Sequence, residues 1–317
     1  MQTAARAAAA ALFAVPLIAA AQWNVPPESQ RCPSKWGAGD EKGSGNHMKN
    51  PKNILRGAHL IKTGEIIELS HVLGPGMPFF GPRIMNMQPK RTFMNTGRNT
   101  RGSNEEMLTG EFGQIGTQFD GFAHQSHGDS HYNCFKTSEI ATRNGFTKLG
   151  VQNAPTFFTR GVLIDVAALK GVEMLGDTYE ITVDDLTQAL ARQGNMKLQP
   201  GDAVIINTGW GKLYGKDNAR FVKSTPGVGV AAAEWLAKQD PTLVGSDNWP
   251  VEVAPNPDKD LSLPVHQVFL VVNGIHILEN LKLEELAAKK VYEFAFTMSP
   301  LKLYGATGST VAPAAIR

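Results

Sequence analysis

The chain predicts an α/β fold: a single domain with a mixed β-sheet flanked by helices. Two observations carry this expectation. Short apolar runs such as Gly161-Val-Leu-Ile-Asp-Val166 and Asp202-Ala-Val-Ile-Ile-Asn-Thr208 alternate with segments of helical spacing. That alternation is the pattern of strands joined through helices. No repeat, low-complexity block or long linker interrupts residues 51–317, so one domain is the simplest organisation.

Taken in order, Arg6 and the apolar run at residues 7–21 end in Ala19-Ala20-Ala21 before Gln22. This reads as a signal peptide covering residues 1–21, removed near Ala21, and too short to span a bilayer comfortably. The expected destination is secreted or periplasmic. Residues 22–50, rich in Pro, Gly, Ser and Asn, read as an irregular N-terminal arm. Pro51 opens a helix that Gly64 ends. Ile66-Ile-Glu-Leu69 is a strand, and residues 73–99, rich in Gly, Pro and Met, read as loop with short extended pieces. Residues 161–166 are a buried strand. Thr182 with Asp185 forms a variant capping box for a helix to about Arg192, stopped by Gly194. Strands follow at 202–208 and 242–246, with a helix at 228–238 between them. Val268-Phe-Leu-Val-Val272 and Gly274-Ile-His-Ile-Leu278 read as extended, residues 283–290 as a short helix and 292–298 as a late strand.

Composition limits the function classes. The chain has 317 residues, 42% hydrophobic and 19% charged, which suits a protein with a sizeable core. Its 31 basic and 29 acidic residues leave a formal charge of +2. No basic excess is available to neutralise phosphates, so nucleic acid is not an expected partner. No stretch after the leader reads as transmembrane. Cys32 and Cys134 are the only cysteines. An exported chain can join them, but spacing alone does not establish that their backbones approach.

The chemistry concentrates in Gln114-Ile-Gly-Thr-Gln-Phe-Asp-Gly-Phe-Ala-His124. If residues 116–120 are extended, Gln114, Gly116, Gln118 and Asp120 share one face, and Phe122 and His124 join them only if the strand continues. Oxygen-bearing side chains on one face make half of a metal site or a hydrogen-bonding cradle, with His124 placed to handle protons. Asp247 follows a strand, where open α/β sheets place ligands; as a turn acid it reads equally well. His266 precedes an apolar run and by itself reads as an edge or core histidine. Glu279 ends a strand in an apolar setting, where a lone carboxylate is costly unless paired or metal-bound. Thr208-Gly-Trp-Gly211 is a packing corner or a pocket wall. Phe79, Phe80, Phe119, Phe122 and Trp210 are candidates for an apolar wall against a flat substrate.

In these features the chain resembles the cyclase family of metal-dependent hydrolases, which includes kynurenine formamidases, isatin hydrolase and a trans-dienelactone hydrolase. The resemblance runs from about Trp36 to the C-terminus. It includes Trp36-Gly-Ala-Gly-Asp40, Gly116-Thr-Gln-Phe-Asp120, His124, Tyr132-Asn133, Thr208-Gly-Trp210, Gly245-Ser-Asp247, His266, Glu279-Asn280 and Ala306-Thr-Gly-Ser309. It implies a fold of the swivelling β/β/α type and a homo-oligomer.

The family pattern is His-x-Gly-Thr-His-x-Asp-x-Pro-x-His, with the first two histidines and the aspartate on a divalent metal and the last histidine in proton transfer. By resemblance Asp120, His266, Glu279 and Gln118 are the metal set and His124 the acid/base. Gln118 serves as ligand or as an oxyanion donor. Phe80, Phe119, Trp210 and Asp247 are the expected substrate contacts. Gln114 and Gln118 stand where the family has ligand histidines, and Phe122 where it has proline. An amide oxygen is a weaker, harder donor than imidazole, so the expected cofactor, Zn or Mn, binds less tightly. The reaction expected is hydrolysis of a lactone, a cyclic amide or imide, or an aryl formamide of a small-molecule substrate. The competing expectation is a metal-free or non-catalytic binding protein with the same fold.

Overall fold

The apolar runs at 161–166, 202–208 and 242–246 lie side by side at the centre of one sheet. The computed structural model describes residues 22–317, so the leader lies outside the described residues. The strands that matter are β1 (Ile66–Glu68), β2 (Met85–Met94), β3 (Gly102–Gly110), β4 (Gln118–Asp120), β5 (Phe157–Asp165), β6 (Ala203–Asn207), β7 (Leu243–Ser246), β8 (His276–Glu279), β9 (Glu293–Met298), β10 (Gly308–Thr310) and β11 (Ala314–Ile316). Among the described residues, all but β2 and β3 form a nine-stranded sheet in the order β1-β11-β9-β5-β6-β7-β8-β4-β10. β5, β6, β7 and β8 run parallel, and β4 lies antiparallel between β8 and β10. The expected α/β fold, one mixed sheet flanked by helices, is the observed one.

The central strands are buried on both faces, which is why they read as continuous apolar runs. Alternate residues feed two cores. Val162, Ile164, Val204, Ile206 and Val244 pack on one face, and Leu163, Ile205 and Leu243 on the other. Helices α1 (Val183–Arg192) and α2 (Val230–Lys238) cover the first face. The α1 capping box is present: Asp185 N–H donates to Thr182 Oγ1 at 3.2 Å, and Thr182 N–H donates to Asp185 Oδ2 at 2.9 Å. Such a cap contributes about 1 kcal/mol.

Two expectations are corrected. The glycine-, proline- and methionine-rich stretch after residue 73 contains a long strand, β2, paired with β3 from Met85↔Gly110 to Met94↔Gly102. Pro89 argued against it, but this ribbon has only two strands, and proline is tolerated where a strand keeps an open edge. Residues 268–272 are not extended; they lie in the π-helix Gln267–Asn273. A short apolar run does not distinguish a buried helix from a strand by its periodicity.

The arm at 22–50 is less irregular than its composition suggests and is fastened beside the His124 segment. Cys32 and Cys134 form a disulfide. Arg31 donates to Ser130 Oγ at 2.8 Å, Tyr132 Oη to Asp40 Oδ2 at 2.8 Å, and Asn133 Nδ2 to Gly37 O at 2.8 Å. Gly43 packs so closely that a Cβ would meet Gly274 O at 2.3 Å. No helix among the described residues is long and apolar enough to cross a membrane.

His71 follows β1 and stacks on Tyr214, ring centroids 3.8 Å apart. Burial lowers its pKa from 6.5 to about 4. The unfolded chain then binds the proton more readily than the folded one. The corresponding stability is present above the unfolded pKa and is lost as pH falls toward the folded value. Urea unfolding between about pH 7 and about pH 4 is expected to show this loss, with a shallower slope in His71→Phe. Equal slopes in the two proteins would exclude His71 as a source.

Candidate active site

β4 delivers Gln118 and Asp120 to one face of the sheet, and Phe119 points to the other. Glu279 is the register partner of Gln118 on β8, so the two side chains meet on the same face. Gln118 Nε2 donates to Glu279 Oε2 at 2.7 Å. Gln114 reaches in from the preceding loop: its Nε2 donates to Asp120 Oδ1 at 3.2 Å, and its Oε1 accepts from Gln118 at 3.3 Å. The strand stops at Asp120. A turn closed by His124 N–H donating to Gly121 O at 3.1 Å returns the imidazole to the cluster, with Nε2 3.9 Å from Asp120 Oδ2.

His266 arrives from the opposite side on the turn Pro264–His266. Its Nε2 lies 3.2 Å from Glu279 Oε1 and 3.7 Å from Asp120 Oδ2. Behind it stands Glu252, fully buried. Glu252 Oε1 accepts from His266 Nδ1 at 2.6 Å and from His266 N–H at 3.0 Å, and Oε2 accepts from Val265 N–H at 3.0 Å. Sequence reasoning missed Glu252, although the signal was available. It is a lone carboxylate between Val251 and Val253, the same argument that singled out Glu279. Glu252→Gln removes the charged acceptor that fixes the ring. Disturbing such a partner is expected to weaken metal binding about 10–100-fold, measured by Zn or Mn titration. Wild-type affinity in that variant would show that the orientation of His266 does not depend on Glu252.

The donor set fits a divalent cation. Asp120 Oδ2 and Glu279 Oε1 are buried and have no hydrogen-bond partner. One ligand atom each from Asp120, His124 and His266 lies within 4.8 Å of the others. Two imidazoles and two carboxylates are a chemistry that suits Zn or Mn. Burial and then the charge of Asp120 push the Glu279 pKa up, and His266 and Arg83 offset part of this. Burial alone would lower His266, but the hydrogen bond to Glu252 and the nearby Glu279 carboxylate outweigh it and raise its pKa well above the ordinary value. Two buried carboxylates in mutual repulsion are the setting in which positive charge is most favourable. His124 is the outermost member, with a side chain 16% exposed against 0–4% for Asp120, His266 and Glu279.

Three expected substrate contacts are corrected. Phe119 is fully buried against Phe157 and His276, on the face away from Asp120. Trp210 is also fully buried, with its indole N–H donating to Phe221 O at 3.2 Å. Asp247 braces the turn after β6: Oδ1 accepts from Thr208 N–H at 2.9 Å and Thr208 Oγ1 at 2.6 Å, and Oδ2 accepts from Gly211 N–H at 3.2 Å. Burial raises its pKa to about 6 despite those bonds. Phe122 likewise packs inside, against Tyr132 and His276. Phe80 remains at the surface, 38% exposed and stacked on Trp249 with centroids 4.2 Å apart. Sequence reasoning did not select Trp249 or Arg83. Arg83 Nη1 donates to Gln114 O at 2.9 Å.

This sheet, with a carboxylate–imidazole cluster where β4 meets the C-terminal end of β8, defines the class of protein: an α/β fold built around a candidate metal centre. The putative cyclase family matches residues 67–253, more than half of the chain, and the chain belongs to that family. A crystal structure described as a novel cyclase is 32% identical with a TM-score of 0.81, covering 89% of this chain and 98% of that one. Isatin hydrolase A from Ralstonia solanacearum is 22% identical with a TM-score of 0.55, covering 80% and 92%. An isatin hydrolase bound to the product analogue thioisatinate is 20% identical with a TM-score of 0.57, covering 84% and 95%. The two isatin hydrolases share the fold. No curated protein matches the chain.

Proposed function

We propose that the chain is a metal-dependent hydrolase that opens a cyclic ester or amide, or cleaves an aryl formamide. The observation that carries this reading is His124, a partly exposed imidazole above two buried carboxylate oxygens that lack hydrogen-bond partners. The isatin hydrolases of the same fold support hydrolysis as the reaction class.

Asp120, His266 and Glu279 would hold the ion. When bound, a divalent metal supplies Lewis acidity at the scissile carbonyl. Burial lowers the His124 pKa, against the opposing charge of Asp120, so at neutral pH the ring is a base with a nitrogen open to a proton. His124 takes a proton from the attacking water as its oxygen bonds to the carbonyl carbon. The carbon–oxygen or carbon–nitrogen bond to the leaving group then breaks, and His124 returns the proton to that atom. Gln118 uses its amide N–H to hold Glu279, so its role here is to brace the carboxylate.

The apolar leader and the Cys32–Cys134 disulfide support export to an oxidising compartment. The family resemblance supports a homo-oligomer.

The hydrogen bonds donated by the Gln114 amide to Asp120 and by the Gln118 amide to Glu279 favour one second reading, a metal-free binding protein. Screening lactones, cyclic imides and N-formyl aryl amines, with and without added Mn or Zn, separates the two. Metal-stimulated turnover is the expected result. A tightly retained ligand with no turnover of any ester, lactone or amide would establish the binder.

A further inference from the structure

A second histidine holds the loop that carries His124. His131 is buried, and its Nδ1 lies 3.2 Å from Phe122 O and 3.0 Å from Gln125 O. Both partners are carbonyls, which only accept, so Nδ1 carries a proton and shares it between them. At the far side of the ring, Nε2 lies 2.8 Å from Thr137 Oγ1. Burial lowers the His131 pKa, against the two carbonyls and Asp129, which raise it. The ring is therefore neutral at neutral pH, and Nε2 accepts from the threonine hydroxyl. His131 is held through its own backbone as well: its N–H donates to Phe135 O at 2.9 Å, and its carbonyl accepts from Arg31 Nη1 at 3.2 Å. The two clamped carbonyls stand on either side of His124 in the chain. Gln125 also meets the catalytic ring, with its Nε2 3.4 Å from His124 Nε2. Beyond it, Ser126 O accepts from Gln267 Nε2 at 3.0 Å, which joins the same loop to the helix after His266.

We propose that His131 is a positioning residue for His124: its Nδ1–H, given to Phe122 O and Gln125 O together, fixes the turn on which the catalytic imidazole returns to Asp120. The need for such a clamp follows from the fold. β4 stops at Asp120, so the residues after it have no sheet ladder to fix them, and their carbonyls must find donors elsewhere. One buried N–H bridging two carbonyls pins both ends of a short loop at once. The ring bonds to backbone and to Thr137, so its effect reaches the reaction through the place of His124. Misplacing a reacting group by about 1 Å can cost about 10²-fold in rate, and that cost falls on kcat. The proposal rests on the hydrolase reading for His124 as the proton carrier, but the clamp itself can be tested without turnover.

Two measurements on the full chain separate these claims. The first is steady-state hydrolysis by protein loaded with Mn or Zn, using the best substrate from the panel of lactones, cyclic imides and N-formyl aryl amines. His131→Leu fills much of the same space without a donor, whereas His131→Asn keeps an amide N–H near the place of Nδ1. The leucine variant is expected to lose about 10–100-fold in kcat, with KM and metal stoichiometry unchanged. The asparagine variant should recover most of that loss. Unchanged kcat in His131→Leu overturns the proposal. An equal loss in both variants overturns it too, as does a loss that falls on KM or on the bound metal.

The second measurement is hydrogen exchange at the His124 amide, whose N–H closes the turn on Gly121 O. Exchange should be about 10-fold faster in His131→Leu and close to wild type in His131→Asn. Equal rates in all three proteins overturn the clamp. Faster exchange confined to the leucine variant, with no turnover of any substrate by wild type, would sink the hydrolase reading and leave the clamp standing. Thermal unfolding checks that each variant is folded. Should His131→Leu fail to fold, Thr137→Val and Thr137→Ser carry the test, because Thr137 is only half-buried. Valine removes the hydroxyl that Nε2 accepts from and should speed exchange at the His124 amide roughly 5-fold, whereas serine should not. Matching exchange in those two variants overturns the proposal.

Discussion

His124→Ala is expected to lower kcat by about 10²–10⁴-fold, the usual contribution of a positioned acid/base, with the fold preserved. The side chain makes few contacts that the fold needs. Its hydrogen-bond neighbour is Gln125 Nε2 at 3.4 Å, and it is the most exposed member of the cluster. The backbone turn that carries it, closed on Gly121 O, does not depend on the ring. Steady-state turnover of the best lactone or amide, with circular dichroism as the control, measures the effect. The geometry also places His124 within reach of the Asp120 and His266 ligand atoms, so metal content decides which role is lost. A variant that keeps its metal and loses turnover identifies the proton carrier. Near-normal activity would refute that role.

Asp120→Ala should lose both metal and activity, with kcat/KM falling by on the order of 10³-fold or more, because ion binding and Lewis-acid stabilisation of the transition state disappear together. Asp120 is fully buried, with Oδ2 facing both His124 and His266. The substitution also removes one of the two effects that raise the Glu279 pKa, leaving burial. The Glu279 carboxyl should therefore titrate lower in the variant, which carboxyl-resolved NMR can follow. Unchanged metal stoichiometry would take Asp120 out of the ligand set.

Much of the sheet was legible because parallel central strands are buried on both faces and so carry uninterrupted apolar runs; β5, β6 and β7 are of this kind. Helix α1 was legible from its capping box, a purely local signal. β2 was not. Residues 86–91 of it are exposed and it contains Pro89, so neither burial nor propensity marked it. The π-helix at 267–273 failed for the opposite reason: an all-apolar run signals burial but not backbone shape.

The same division runs through the site. Residue chemistry and the family resemblance selected Asp120, His124, His266 and Glu279, and the structure brings all four to one place. Aromatic identity selected Phe119 and Trp210 and was misleading, because a side chain's type does not say which face of a strand or turn it leaves from.

By itself the sequence determined the α/β class, the central strands and the residue types able to bind an ion or move a proton. Those properties are local, written in apolar runs, caps and single side chains. Only the tertiary structure decided that Glu252 stands behind His266, that Asp247 braces a turn and that Arg83 holds the Gln114 loop. Each depends on contacts between segments far apart in the chain, and such contacts are set by strand order and register, which no short stretch of sequence encodes.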